Sequence, residues 1–422
     1  MQETLLRRAL VWARKLGPGI VTGSADDDPS GISTYSIAGA SAGYSMLWIA
    51  LVTLPMMIAV QGMCARIGLV AGVGPAGVMR KLYPRALTAS LILVVVIANT
   101  VNLGADLAGM AASARLIFGL PFELWIAAFG VVTIAAEVFF SYKAFESVVK
   151  WLCLSLLAYV ATAFFAHPNW REVFGSLLVP HIRFEAAWLT TLMGVLGTTI
   201  TPYLFFWQPA MVIEDERALG RSTAELRGAT KSEVHETNED NWIGMGYSNV
   251  MTFFIIVTTA ATIGQHGNAN IQTAQDAAEA LRPFAGDYAY LLFMLGMVGK
   301  GLLAVPVLAG SSAYVLADAF AIEGSLADKP RRAPIFYTLI VAGIGIGMIM
   351  NFFHLDPIKA LYWSAVLNGV AAVPLLVFLT LLGNNASVMG KWKNSRATNV
   401  WAWLTVLLMG ASAVCMFVFW GK

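Results

Sequence analysis

Apolar residues in this chain are gathered into long blocks, and this pattern constrains the fold more than any other feature. A helix of roughly 20 apolar residues crosses a hydrocarbon core about 30 Å thick. Only 12% of the residues are charged, whereas a soluble domain carries about 25%. The pattern predicts an all-α polytopic membrane protein with 11 transmembrane helices, at 17–42, 46–69, 88–114, 122–140, 147–166, 187–211, 243–264, 288–318, 334–353, 358–382 and 398–420.

Lysine and arginine are distributed unevenly between the two sides that these spans define. With the N-terminus in the cytoplasm and the C-terminus outside, most of the 27 basic residues fall on the cytoplasmic side, as the positive-inside rule requires. We therefore expect a bacterial-type inner (plasma) membrane. The polar stretch 214–242 is predicted to be a solvated cytoplasmic loop, and 271–286 a short amphipathic helix on the outer face. A net charge of +2 gives no reason to expect a nucleic-acid partner, and no obligate protein partner is evident.

The first block carries three adjacent carboxylates at its middle. Asp26, Asp27 and Asp28 are followed directly by Pro29. Charged groups at that depth are costly and typically functional, and proline cannot donate to a helical ladder. We predict a helix that breaks near 26–31, with its unwound backbone lining a polar cavity.

The sixth block has a second candidate break, and its middle holds Gly197, Thr198, Thr199, Thr201 and Pro202. Interrupted helices in corresponding positions of two halves point to a transport site at the membrane midplane. We predict one transporter domain over 1–422, with repeats at about 17–166 and 187–382 and an extra helix at about 398–420. An enzyme would need a nucleophile–base pair or a metal-ligand cluster, and the sequence shows neither; a channel remains the other alternative.

At these residues the chain resembles the NRAMP family of divalent-metal transporters, which have the LeuT fold. The segments that match the family are GPG at 17–19, Asp28-Pro29, AGASAGY ending at Tyr44, LIFGLP at 116–121, AQDAAEALRPFAG at 274–286 and AGSSAYVLADAF at 309–320. The resemblance implies a secondary transporter with a 5+5 inverted repeat and broken helices 1 and 6.

Two motifs depart from the family pattern. The first-helix motif Asp-Pro-Gly-Asn ends here in Ser30 and Gly31, and the sixth-helix motif Met-Pro-His becomes Thr201-Pro202-Tyr203. A thioether is the soft ligand that favours transition metals, so its loss predicts poor binding of Mn²⁺ and Fe²⁺. The donors that remain are hard oxygens of the kind that bind Na⁺ or Mg²⁺.

The third helix also departs from the family, because its Asp-x-x-Glu pair becomes Leu103 and Asp106. Proton coupling of the family's kind is therefore not expected. Asp106 is interpreted either as polar lining of the pathway or as a structural hydrogen-bond partner, and Asn368 as a second possible lining residue.

Lys300 lies near the centre of the eighth block. The resemblance places it beside the three aspartates of the first helix. Three roles remain open: a structural ion pair with an aspartate, binding of an anionic substrate, or replacement of a coupling cation.

These observations predict import of a small inorganic ion by alternating access. The leading substrate is a small oxyanion such as bicarbonate coupled to Na⁺, because a buried lysine disfavours a cationic cargo. The alternative is a hard divalent cation, Mg²⁺ before Mn²⁺, without the family's proton coupling. No cofactor is expected. The predicted substrate- and ion-binding residues are Asp26, Asp27, Asp28, Ser30, Gly31, Thr198, Thr199, Thr201, Tyr203 and Lys300, of which Asp28, Thr198 and Thr201 would hold Na⁺ or Mg²⁺.

Overall fold

The computed structural model describes residues 18–139, 154–221, 226–264, 271–353 and 355–420, and all regular secondary structure in these ranges is helical. The α-helices are α1 (Pro18–Asp26), α2 (Pro29–Ala42), α3 (Trp48–Ala71), α4 (Pro75–Leu82), α5 (Arg85–Phe118), α6 (Phe122–Phe139), α7 (Leu157–Phe165), α8 (Trp170–Leu178), α9 (Ala186–Thr199), α10 (Leu204–Ala218), α11 (Lys231–Thr262), α12 (Ala274–Glu279), α13 (Arg282–Ala285), α14 (Ala289–Phe320), α15 (Pro334–Met350), α16 (Pro357–Asn384), α17 (Ala386–Met389) and α18 (Arg396–Phe419).

Within these ranges, 9 helical segments are long and apolar enough to cross a membrane, when Ala186–Ala218 is counted as one segment across its interruption. They match the predicted blocks other than the first and the fifth. The first block is divided between α1 and α2, each too short to span alone. Part of the fifth block, 147–153, lies outside the described residues, so the total of 11 spans stays a prediction.

The first predicted break is confirmed. Helix α1 ends at Asp26 and α2 begins at Pro29. Pro29 is tolerated in the first turn because the amide it lacks would have no partner inside the helix. Asp28 has an extended backbone (φ −68°, ψ 174°), and its side chain accepts a hydrogen bond from the Gly31 amide. The break is therefore a capped helix start, which stabilises the interruption within the membrane.

The second predicted break is also confirmed. It is an interruption of four residues and not a simple kink. Helix α9 ends at Thr199 and α10 begins at Leu204. Pro202 therefore precedes the second half-helix by two residues instead of starting it. No side chain caps the start of α10; the amides of Phe205 and Phe206 bond instead to the backbone carbonyls of Pro202 and Tyr203.

Both broken helices lie close against continuous neighbours. A Cβ at Gly23 in α1 would collide with the backbone of Gly244 in α11, and one at Gly197 in α9 would collide with the carbonyl of Ala365 in α16. Glycine at these two places allows the backbones to approach. The breaks are therefore held by α11 and α16.

The stretch 214–242 was predicted to be a solvated loop, and for much of its length this was wrong. Helix α10 continues to Ala218, and α11 begins at Lys231, twelve residues before its apolar block. A capping box between Thr230 and Glu233 starts α11, which satisfies amides that would otherwise lack partners. Arg221 donates a hydrogen bond to the Glu233 carboxylate, and this bond raises the pKa of Arg221.

The predicted outer helix over 271–286 is instead two short helices, α12 and α13. Pro283 lies in the first turn of α13, where it cannot donate to the preceding turn. The proline therefore separates the two helices.

Candidate ion-binding site

Asp28 is fully engaged where the first helix breaks. One of its oxygens, Oδ1, accepts hydrogen bonds from the Ser30 hydroxyl at 2.6 Å and from the Gly31 amide at 2.7 Å. The other, Oδ2, accepts from the Asn102 side-chain amide at 2.8 Å. Ser30, Asn102 and Asp28 are all buried. An ion at Asp28 would share these oxygens with three donors.

A polar network extends from Asp28 to helices α5 and α16. The Asn102 amide lies 3.1 Å from Oδ2 of Asp106, and Asn368 donates to the Asn102 carbonyl oxygen at 2.9 Å. Oδ1 of Asp106 and Oδ1 of Asn368 have no hydrogen-bond partner in the part of the chain that the structure describes. The structure thus joins Asp106 and Asn368 to the first break through Asn102, which the sequence analysis did not single out.

The two breaks face each other through hydroxyl groups. The Ser30 hydroxyl lies 3.4 Å from that of Thr198, and the Tyr35 hydroxyl lies 3.1 Å from that of Thr199. The hydroxyl of Thr201 is buried without a partner among the described residues. The structure therefore brings the predicted threonines to the same place as the predicted aspartates. Tyr35 gave no signal in the sequence, because nothing distinguishes it from other tyrosines in apolar helices.

Tyr203 ties the two unwound segments together. Its hydroxyl donates to the backbone carbonyl of Ala25 at 2.9 Å, and its own carbonyl accepts from the Ser311 hydroxyl at 2.7 Å. The side chain and the backbone carbonyl of Tyr203 thus connect the sixth predicted block to the first and the eighth. Tyr203 positions the breaks; its hydroxyl is already committed to this bond.

Lys300 lies at the end of α1, fully buried. Its Nζ donates to the Ser24 carbonyl at 2.6 Å, lies 3.7 Å from Oδ2 of Asp27, and is 5.3 Å from the ring centre of Tyr247. Of the three roles left open, this geometry has the arrangement of the first, an ion pair with an aspartate. The ammonium also faces the negative end of the α1 dipole.

The Ser248 hydroxyl joins the other two aspartates. It lies 2.6 Å from Oδ2 of Asp26 and 3.1 Å from Oδ1 of Asp27. Oδ1 of Asp26 has no hydrogen-bond partner within the described ranges. Ser248 belongs to α11, so its proximity to the first helix was not apparent from the sequence.

The site as a whole is rich in acidic groups. Four buried carboxylates, those of Asp26, Asp27, Asp28 and Asp106, are accompanied by the buried ammonium of Lys300. Burying an uncompensated carboxylate costs a large free energy, so this arrangement calls for bound cations or protons. Among the described residues, no group of three or more His, Cys, Asp or Glu side chains is positioned to hold a metal ion. A cation here would therefore depend on neutral oxygens as well.

The site is closed in this structure, with a cavity toward each end of the protein. The cavity beside Asp26 measures only about 10 Å³, roughly the space of one water. A cavity of about 580 Å³ lies at the ends of α10 and α14, and its charged lining residues are Arg80, Lys81, Glu214, Arg217, Asp318, Glu323 and Asp328. One of about 410 Å³ lies at the opposite end, near Tyr44 and His181.

The chain is similar to known membrane transporters over nearly its whole length. A family model described as natural resistance-associated macrophage protein-like (Nramp) matches residues 19–419. The divalent metal cation transporter MntH of Agrobacterium fabrum is 27% identical, over 96% of this chain and 86% of that protein. MntH of Klebsiella pneumoniae is 27% identical over 93% and 91% of the two chains.

Solved structures show the same fold. The manganese transporter of Eremococcus coleocola superposes with a TM-score of 0.73 at 19% identity, over 95% of this chain and 86% of that one. A closed conformation of MHP1, a nucleobase-cation-symport-1 family transporter, gives a TM-score of 0.57 at 13% identity, over 95% and 92%. The fold is the LeuT-like one that the sequence predicted.

Proposed function

Because the chain belongs to the Nramp family of membrane transporters, we propose that it carries a small inorganic ion by alternating access at the two facing helix breaks. The protein is a transporter and not an enzyme. The observation that carries the proposal is the closed polar site at the breaks, with a cavity toward either end of the protein. Its orientation, with the N-terminus in the cytoplasm, stays a prediction.

We propose further that Mn²⁺ and Fe²⁺ are poor cargoes. The relatives include proteins named as divalent metal cation and manganese transporters. In this chain, however, Gly31 and Thr201 stand at the motif positions where the family has asparagine and methionine. The donors at the breaks are carboxylates, hydroxyls and amides, which favour hard ions over soft ones.

Our leading cargo is bicarbonate, carried together with Na⁺. Bicarbonate has acceptor oxygens and one donor hydroxyl. Among the described residues the site has groups of both kinds without a hydrogen-bond partner: the buried Thr201 hydroxyl and one side-chain oxygen each of Asp106 and Asn368. Na⁺ would bind oxygens of Asp28, Thr198 and Thr201. A monoanion and Na⁺ together are nearly neutral, which lowers the cost of leaving water.

Mg²⁺ is the second candidate, and a specific contact favours it. The Lys300 ammonium is already paired with Asp27 and bonded to the Ser24 carbonyl, so it adds little attraction for an anion. The carboxylates of Asp26, Asp28 and Asp106 then give the site an acidic excess. Mg²⁺ retains several of its waters and needs few carboxylates, which suits a site without a dedicated metal cage.

Uptake into proteoliposomes separates these candidates. Labelled bicarbonate is measured with and without an inward Na⁺ gradient, and Mg²⁺ and Mn²⁺ are measured with internal indicators. We expect Na⁺-dependent bicarbonate uptake and no Mn²⁺ uptake. If Mg²⁺ is taken up, and bicarbonate uptake is either absent or independent of Na⁺, the cargo is Mg²⁺. Single-channel currents would refute the carrier itself.

A matched pair of variants links uptake to the breaks. Asp28→Asn should abolish uptake, because an amide carries no charge for the cation. Asp356→Asn is the control. The Asp356 carboxylate caps α16 by accepting hydrogen bonds from the amides of Ile358 and Lys359, at 3.0 and 3.1 Å. This cap lies on the predicted outer side of the membrane, away from the two breaks. Equal uptake by the two variants would contradict the proposed role of Asp28.

A further inference from the structure

A groove on the membrane-facing side lies between the start of α5 and the end of α14. It has a volume of about 650 Å³ and is lined mainly by apolar side chains: Thr88, Ala89, Ile92, Leu93, Val96, Leu316, Ala319 and Phe320. Ile92 forms part of its buried floor, whereas Leu93 and Phe320 are exposed at 59% and 67%. Helices α5 and α14 are in extensive contact, so the groove is a fixed feature of the helix packing.

Two arginines stand at one end of this groove. Arg80 lies in the last turn of α4, and Arg85 is the first residue of α5. Both also line the groove, and both are exposed. Of the carboxylates in the described ranges, none lies within 4.0 Å of either guanidinium. The nearby Asp318 accepts bonds from the backbone of Gly74 and Gly77 and also interacts electrostatically with Arg217 and Arg80.

The start of α5 adds to the positive charge at this end. No side chain caps this 34-residue helix at its N-terminus, so its first amides and the positive end of its dipole face the same region. The positive-inside rule places this end at the cytoplasmic surface, where anionic lipid headgroups lie. Arginine's planar group can bind two phosphate oxygens at once.

We propose that this groove binds an anionic phospholipid, with an acyl chain between α5 and α14 and the headgroup phosphate on Arg80 and Arg85. The apolar groove matches the acyl chain, which lies in the membrane interior, and the charged end of the groove matches the headgroup phosphate, which lies at the membrane surface. Arg80 also lines the 580 Å³ cavity toward the transport site. A bound headgroup would therefore hold Arg80 at the mouth of that cavity.

Native mass spectrometry of the full-length protein tests the headgroup contact. The protein is titrated with phosphatidylglycerol and, separately, with phosphatidylcholine. Arg80→Gln/Arg85→Gln should bind phosphatidylglycerol about 30-fold more weakly than wild type, because each basic residue near an anionic lipid surface strengthens binding about fivefold. The control Arg331→Gln/Arg332→Gln removes two exposed arginines on the same predicted side, outside the groove, and should bind as wild type does.

A second pair of variants tests the acyl chain. Ala89→Trp fills the groove without changing charge and should also weaken phosphatidylglycerol binding, whereas Ala86→Trp, exposed on the same helix outside the groove, should not. Inorganic phosphate should give no thermal stabilisation, because it has no chain to fill the groove.

Three results would overturn the proposal. The first is equal lipid binding by the two double-arginine variants. The second is phosphatidylcholine binding as tight as that of phosphatidylglycerol. The third is stabilisation by inorganic phosphate that survives Ala89→Trp, which would indicate a free-anion site.

Discussion

Replacing Lys300 with methionine removes a fully buried ammonium and keeps most of the apolar length of the side chain. In the wild type, Nζ lies 3.7 Å from Oδ2 of Asp27, and the side chains of both residues are 0% exposed. At this distance the attraction is about 4.5 kcal/mol for an effective dielectric constant of about 20. Breaking a buried pair from one side typically costs about 3–5 kcal/mol, because the other charge remains uncompensated. We therefore expect Lys300→Met to lower the free energy of unfolding by about 3–5 kcal/mol. The loss should not exceed this range, because the unpaired Asp27 carboxylate can take up a proton and become neutral.

The double variant Lys300→Met/Asp27→Asn isolates the pair from other effects. Removing both charges should recover most of the lost stability, because the desolvation cost of the pair disappears with its attraction. A double-mutant cycle should give a coupling energy of at least about 2 kcal/mol. The measurement is unfolding in mixed micelles by denaturant, followed by circular dichroism. Lys359→Met, at an exposed position, is the control for loss of a lysine and should change stability by less than about 0.5 kcal/mol.

A double variant as unstable as the single one would refute this reasoning. So would a loss below about 1 kcal/mol in Lys300→Met, far under the cost of a broken buried pair. Either result would mean that the ammonium is not committed to Asp27. Its charge would then be available to a bound anion, which would strengthen bicarbonate against Mg²⁺.

Three further variants test the breaks and their packing. Thr201→Met combined with Gly31→Asn restores both family ligand types, so Mn²⁺ binding measured by calorimetry should appear where wild type shows none; a silent double variant would mean that other residues exclude Mn²⁺. Gly23→Val should prevent correct folding, seen as loss of the monodisperse peak in chromatography, because its Cβ would collide with the backbone of α11; a well-folded variant would contradict this close packing. Tyr203→Phe removes a bond between the breaks worth about 1 kcal/mol and should slow uptake while lowering the melting temperature only slightly; unchanged uptake would show that the bond has no role in transport.

The breaks were predictable because their signals are local in the sequence. Three aspartates before a proline cannot continue a lipid-exposed helix, and threonine-rich sequence before Pro202 has the same consequence. The depth of Lys300 was likewise evident from its place within an apolar block. The polar connection through Asn102 was less apparent, although Asn102 precedes Asp106 by one helical turn and shares its face. That spacing was the available signal for Asn102.

Other features depend on contacts between residues distant in the chain. Ser248 and Tyr35 reach the breaks because α11 and α2 pack there, and no local pattern fixes that packing. The early start of α11 was missed for a different reason. Hydropathy indicates where a helix enters lipid and not where it begins, whereas the capping box at Thr230 determines its first turn.

Asp28 shows why a retained motif residue does not by itself identify the cargo. Its carboxylate caps α2 and receives the Asn102 amide, and Pro29 fits the first turn of that helix whichever ion is carried. The Asp-Pro pair is therefore required by the interruption of the helix, a feature that carriers of different ions can share. Gly31 takes part in the first break only through its backbone amide, which any residue except proline would supply, and the Thr201 hydroxyl has no partner among the described residues. The chemistry at those two positions is accordingly the better guide to the cargo, and here it provides neither the amide nor the thioether that would hold a transition metal.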